Sequence, residues 1–362
     1  MTLNPNYPKP FPQFIELLRS GLWNRAPLAD GFEQLSMADW NKILLLSQQQ
    51  GVIALVGQAV QQLPQTVLPP SDMLLQWIGY THSVEATHLH FNEIIREVLQ
   101  WFSDAGIRCG VFKGETLSAL YPQPNLRTCG DVDLWFPEAD GVEKATEFLE
   151  KQGLKVTPDP HHAIMDYQDV SFELHPDCIN LPFRIKIPVS LVKENSPGYS
   201  GYQLNNAANT VMLLTHAAHH FIETGLGLRH LCDWAVWLHA KGSCKEVTDG
   251  LQEIKRIGAG VFLTEFTALA VELLDLDSAV AKDIAQKSKD TLRLKMLRDM
   301  LQQGNLGKCH LQEKQHTALP LFYLKSLWRE LKLSTYWRSY VIASIPHQFM
   351  RSMRQIKKAK QA

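Results

Sequence analysis

Two aspartates, Asp131 and Asp133, stand two residues apart in the run Gly130-Asp131-Val132-Asp133-Leu134-Trp135-Phe136. In a strand, alternate side chains share a face, so both carboxylates project together while Val132 and Leu134 point into a core. Two carboxylates this close repel each other unless a cation lies between them. Hard divalent cations, Mg²⁺ or Mn²⁺, take such oxygen ligands and keep remaining positions for water or phosphate oxygens. A third carboxylate comes from Val170-Ser171-Phe172-Glu173-Leu174-His175, where Ser171, Glu173 and His175 share the face opposite Phe172 and Leu174. His175 is open to three readings: general base, substrate contact or surface residue.

Upstream, Gly110-Val111-Phe112-Lys113-Gly114-Glu115 reads as a strand entering a Lys-Gly turn and then a helix. Free backbone N–H groups and an ammonium at one point suit a phosphate, and Lys113 can equally pair with a carboxylate. Arg127 precedes the aspartates and either binds substrate phosphate or neutralises Asp131. Farther on, His216 and His220 stand four apart, a spacing used by helical zinc sites, but no Glu follows His216 to complete His-Glu-x-x-His. They read as histidines on a helix surface facing the strands. Arg229 and Asp233, also four apart, read as a helix-surface ion pair worth a few tenths of a kcal/mol. Gly225-Leu226-Gly227 lacks the third glycine and preceding strand of a dinucleotide fingerprint.

The elements that must position these residues follow from hydrophobic spacing. Three- and four-residue periodicity predicts helices over 14–22, 37–50 and 52–63, then a long one from Ser71, a plausible N-cap, to Asp104. Short apolar or alternating runs predict strands over 107–112, 132–136, 154–157, 163–167 and 170–175, with a helix over 140–152 closed by Gly153. Helical periodicity returns over 206–238, 261–274 and 292–301. The expected class is α+β, with an N-terminal helical region over 1–80, an α/β core over 81–195 and a C-terminal helical domain over 196–362.

The whole chain bounds the reading. Its 362 residues, 45% hydrophobic and 20% charged, exclude a disordered or fibrous protein. The formal charge of −1 argues against a chain built wholly around nucleic acid. Six cysteines without C-x-x-C spacing read as reduced thiols, and no apolar run is long enough to span a membrane, so the chain reads as soluble and cytoplasmic. From Lys325 onward nine Lys and Arg stand against one Glu, interleaved with Trp328, Tyr336, Trp337, Tyr340 and Phe349. That is a basic aromatic arm able to touch nucleic acid or an anionic surface, or a packed helix with a solvated tail.

Taken together, Phe112-Lys113-Gly114, Leu120-Tyr121-Pro122, Arg127, Gly130-Asp131-Val132-Asp133, Glu173-Leu174-His175, the helix Leu214-Thr215-His216-Ala217-Ala218-His219-His220 and Leu228-Arg229-His230-Leu231-Cys232-Asp233 resemble the uncharacterised bacterial nucleotidyltransferases of the DNA polymerase beta superfamily. The resemblance covers roughly residues 85–240. It implies Mg²⁺-dependent transfer of a nucleoside monophosphate from an NTP to an acceptor hydroxyl on a small molecule, an RNA end or a protein side chain. Asp131, Asp133 and Glu173 would hold the metal; Lys113, Gly114 and Arg127 would bind the nucleotide phosphates; His219, Arg229 and Asp233 would line the cleft. One departure stands out: Lys113-Gly114 replaces the Gly-Ser turn of most active members. That leaves room for a catalytically degenerate binding module. A metal-dependent phosphohydrolase using His216, His219, His220 and Asp233 is a third reading.

Overall fold

A computed structural model describes residues 7–159, 162–195, 200–305 and 327–344. Four helices lead the chain: α1 (Phe11–Trp23), α2 (Met37–Gln49), α3 (Ile53–Gln61) and α4 (Ser71–Asp104). Ser36 caps α2 in a reciprocal capping box with Asp39. Ser71 does not cap α4; Pro70 precedes the first turn and no side-chain cap bond forms there. The long helix is set by its apolar spacing, and Gly106, at φ 69, supplies the turn that follows it.

Next come β1 (Gly110–Phe112), the single-turn α5 (Gly114–Ser118), β2 (Val132–Trp135), α6 (Gly141–Lys151), β3 (Val156–Pro158), β4 (Ala163–Tyr167) and β5 (Val170–His175). The five strands form one sheet in the order β1-β2-β5-β4-β3. Only β2 and β5 run parallel, in a register that sets Asp133 beside Glu173 and Trp135 beside His175. A hairpin absent from the sequence-based expectation, β6 (Leu191–Asn195) with β7 (Ser200–Leu204), lies against β1, where a Cβ on Gly110 would sit 2.9 Å from the Tyr202 carbonyl oxygen. That close approach requires glycine.

The register is fixed by burial. Val111, Val132, Leu134, Phe136, Phe172 and Leu174 are fully buried on one face against Phe91, Ile95, Val98 and Phe102 of α4 and Ala145 and Leu149 of α6. Each large apolar side chain there contributes about 1.5–3 kcal/mol over exposure. A one-residue slip would trade them for Asp133 and Glu173, so the core holds the carboxylates on the other face. That other face carries Phe112, Asp133, Trp135, Glu173 and His175, and Phe112 and Trp135 pack against Ala208 and Met212.

The C-terminal half holds α7 (Asn206–Glu223), α8 (Leu228–Lys241), α9 (Lys245–Arg256), α10 (Gly260–Leu274), α11 (Ala279–Ala285) and α12 (Asp290–Gln303). The periodicity over 206–238 is thus two helices, broken at Gly225, whose φ is 127. The break lets Gly227 pass under Gln50 and Asn305, where a Cβ would come within 2.9 Å of backbone. α1 to α3 and these helices share one continuous apolar cluster. The fold is therefore α+β with helical flanks. No helix among the described residues is long and apolar enough to cross a membrane, and the cysteines among them are unpaired.

Residues 327–333 and 338–344 are helical. Tyr336, Trp337 and Tyr340 are buried, with Tyr336 Oη donating to the Leu292 carbonyl and Trp337 Nε1 to that of Ile257. These aromatics belong to the core and form no free arm; Trp328 alone of the described set is largely exposed, at 65%. Phe349 and the basic residues beyond 344 lie outside the described residues.

Candidate active site

The sheet face opposite α4 gathers the predicted carboxylates. One oxygen each from Asp131, Asp133 and Glu173 lies within 4.8 Å of the others. Asp133 is buried, Glu173 partly buried, and Asp131 sits at the exposed end of β2. Asp133 Oδ1 accepts from Lys113 Nζ at 2.5 Å and lies 2.8 Å from His175 Nε2, which is also 3.1 Å from Glu173 Oε2. Lys113 therefore pairs with a carboxylate, and His175 bridges two of them. His162, just before β4, adds a second imidazole 3.6 Å from Glu173 Oε1.

Each shift in acidity has a local cause. Burial alone would raise the Asp133 carboxyl, but the Lys113 ammonium and the His175 hydrogen bond outweigh it and hold it below the usual range. The His175 hydrogen bond likewise lowers Glu173. Desolvation of the Asp131 carboxyl inside the cleft, then the charges of Asp133 and Glu173, raise it. Burial would lower His175, yet its bonds to Asp133 and Glu173 prevail and raise it. Asp131 forms no ion pair among the described residues: Lys113 and His175 are spent on Asp133 and Glu173, and Lys113 acts on Asp131 only at a distance. Three converging carboxylate oxygens are the donor set of a hard divalent cation, and these residues fit one.

Lys113 sits at φ 60, ψ −128, backbone that L side chains rarely adopt. Such strain is stored where a turn aims a side chain. α5 is one turn long, so the lysine, more than a helix end, supplies positive charge. Gly114 is needed for a different contact: a Cβ there would lie 3.1 Å from both terminal nitrogens of Arg127.

Arg127 lines the cleft but departs from one of its two sequence-based readings, the neutralisation of Asp131. It is 4% exposed and forks onto Asp233 of α8, Nε to Oδ1 at 2.7 Å and Nη2 to Oδ2 at 2.9 Å. Tyr121 Oη donates to Oδ1 at 2.7 Å, and Glu115 lies 3.7 Å from the same guanidinium. Arg127 thus neutralises Asp233 and not Asp131. The expected Arg229–Asp233 surface pair does not form, because Asp233 is already satisfied and both residues face inward. Arg229 Nη1 donates to the Thr128 carbonyl while its Nε is buried without a hydrogen-bond partner.

Lys113, Gly114, Arg127, Asp131, Asp133, His216, Arg229, His230 and Asp233 line a single cavity. His219 lies outside its lining: it pairs with Glu223 at 2.9 Å and packs on Tyr340. His216 lies on the face of α7 turned towards the strands, sharing the cavity with Lys113 and Asp133, and α8 brings His230 alongside both His216 and His220. Desolvation, then neighbouring cationic groups, pushes His220 down to about 3 and holds His216 and His230 well below the usual range. Those shifts favour the neutral form of all three rings near pH 7. His162, His230 and Tyr121 are residues to which sequence reading gave no role; for His230 the third histidine ten residues after His220, past a two-glycine break, was the available signal.

No curated protein and no solved structure matches the chain. A family model described as an uncharacterised nucleotidyltransferase matches residues 36–275, which takes in α2 through α10, the whole sheet and every cavity-lining residue named above. With that match spanning well over half its length, the chain belongs to the uncharacterised nucleotidyltransferase family.

Proposed function

We propose that the protein transfers a nucleoside monophosphate from an NTP to an acceptor hydroxyl, joining the acceptor oxygen to the α-phosphorus and releasing pyrophosphate. The observation that carries this reading is the convergence of Asp131, Asp133 and Glu173 from two adjacent parallel strands in a cleft that also presents cations. Asp131, Asp133 and Glu173 would hold Mg²⁺ or Mn²⁺. Bound there, the ion would neutralise triphosphate charge and polarise the reacting phosphoryl group. Arg127 and Arg229 both line the cleft, but two of the Arg127 donors are held by Asp233, while Arg229 gives only Nη1, to the Thr128 carbonyl. Arg229 is assigned to the phosphates as a fixed, always charged fork. Lys113 orients Asp133 and contributes a second positive charge. His175, hydrogen-bonded to both inner carboxylates, keeps them on one side of the cleft. The acceptor class stays open among a small molecule, an RNA end and a protein side chain.

The test is pyrophosphate release from each NTP across an acceptor panel. Asp131→Asn and Glu173→Gln are each expected to lower turnover at least about 100-fold, in line with removal of one group that stabilises transition-state charge. Unchanged Mg²⁺-dependent turnover in both variants sinks the mechanism. A second reading, a non-catalytic nucleotide-binding module, is favoured by one observation: Lys113 and His175 already neutralise Asp133 without an added ion. Calorimetric NTP binding with no pyrophosphate release from any acceptor would establish it. The phosphohydrolase reading loses two of its four residues, because Asp233 is committed to Arg127 and Tyr121 and His219 lies outside the cavity lining.

A further inference from the structure

His216 and His220, one turn apart on α7, bring their Nε2 atoms to 3.1 Å, and one ring nitrogen of His230 from α8 lies within 4.8 Å of a nitrogen on each. We propose that these three histidines form a binding site for a borderline-soft divalent ion, with Zn²⁺ as the type, on the helical wall of the same cleft. Two imidazole nitrogens on one tetrahedral zinc, each about 2.0–2.1 Å from it, lie about 3.4 Å apart. The His216–His220 separation is within a few tenths of an ångström of that.

Thr224 sits where it can hold the His220 tautomer: its Oγ1 lies 3.1 Å from His220 Nδ1 and 3.4 Å from the His220 carbonyl. With the hydroxyl hydrogen on that carbonyl, Oγ1 accepts from Nδ1–H. The His220 Nε2 lone pair then points at His216, the orientation that an outer hydrogen bond gives a metal-ligating histidine. His230 adds an unsatisfied group: its Nδ1 is buried with no hydrogen-bond partner among the described residues. Neutral nitrogen donors without a carboxylate select Zn²⁺, Co²⁺ or Ni²⁺ over Mg²⁺, which prefers oxygen. The nearby Lys113 and Arg229 oppose a dication by simple repulsion, but Lys113 is countered by Asp133 at 2.5 Å. Three coordinate bonds outweigh the screened remainder. His216 and His230 reach the cavity lining, so a fourth position opens towards the cleft. The competing arrangement is a plain hydrogen bond from His216 Nε2–H to His220 Nε2.

The full chain, stripped with dipicolinate and dialysed, is titrated with Zn²⁺ and, separately, with Co²⁺. A variant lacking the hard site, Asp131→Asn with Glu173→Gln, runs alongside. Expected are about one Zn²⁺ per chain in both proteins and the intense visible bands of four- or five-coordinate Co²⁺. His216→Asn and His230→Asn should lose both signals with circular dichroism unchanged. Thr224→Val, which leaves every ligand in place, should weaken Zn²⁺ binding about 10-fold. Should the histidine variants unfold, the Co²⁺ spectrum of the wild type and the Thr224→Val shift decide. The site is overturned by a weak six-coordinate Co²⁺ spectrum, by Zn²⁺ retention unaffected in His216→Asn, or by its loss in the carboxylate variant. Failure of nucleotidyl transfer leaves all of these readouts standing.

Discussion

Lys113 carries two opposed effects at one residue. Its φ of 60 costs backbone energy of about 1–3 kcal/mol for a non-glycine residue. Its ammonium, meanwhile, pairs with a carboxylate that is only 5% exposed. Substitution separates the two. Lys113→Ala keeps the strained backbone and loses the cation; Lys113→Gly loses the same cation but relaxes the turn. We expect Lys113→Gly to be the more stable of the pair by about 1 kcal/mol in urea unfolding, the usual sign of a residue held in glycine's region. Equal stabilities, or an alanine advantage, would show that the turn stores no strain. The spacing of Asp131, Asp133, Glu173 and His175 was legible because two-residue alternation is local. The strain at Lys113 was not, since it depends on where β1 must end relative to β2.

At the scale of elements, the Tyr121–Arg127–Asp233 knot ties the loop between α5 and β2 to α8. Its three members converge in a buried setting. Removing one partner of a buried pair strands the other charge and costs about 3–5 kcal/mol, whereas replacing both with apolar residues costs far less. Arg127→Met and Asp233→Leu should each destabilise by that larger amount, and in a Glu115→Gln background, which removes the other carboxylate beside the guanidinium, the double variant by less than either. Additive losses in the double-mutant cycle would show that the bonds are not coupled. This knot explains why sequence reading misplaced Arg127 and paired Asp233 with Arg229. Four-residue spacing on a helix is visible in the chain, but a partner 106 residues away is not. The same limit applies to β2 and β5: each strand could be read alone, while the parallel pairing that puts Asp133 beside Glu173 spans β3 and β4. The β6–β7 hairpin was missed for a related reason: it docks on β1 across a long sequence gap, and with Val192 and Tyr202 exposed neither strand shows a clean apolar alternation.

At the scale of the molecule, α4 joins the two halves. Its 34 residues, about 50 Å at 1.5 Å each, place Met73 and Trp77 in the helical core and Phe91 to Phe102 under the sheet. The N-terminal helices are tied to the C-terminal ones as directly. Arg19 on α1 is 5% exposed and donates to the Leu273 and Glu272 carbonyls at the end of α10, each at 2.6 Å, with Asp275 at 3.3 Å. Trp23 Nε1 caps the Leu274 carbonyl beside them. A cation at a helix C-terminus satisfies both the last carbonyls and the dipole. Arg19→Met keeps the aliphatic stem and removes these bonds, so it should cost about 2–4 kcal/mol, given about 1.5–3 for each hydrogen bond to a charged group less what water recovers. The form of the loss is the sharper test. If the first and last thirds share one core, urea unfolding followed by tryptophan fluorescence and by circular dichroism stays a single transition, shifted to lower midpoint with unchanged slope. A separate early transition in Arg19→Met would instead mean that α1 to α3 unfold alone. In that case the cleft, whose walls are the sheet and α7–α8, would owe them nothing.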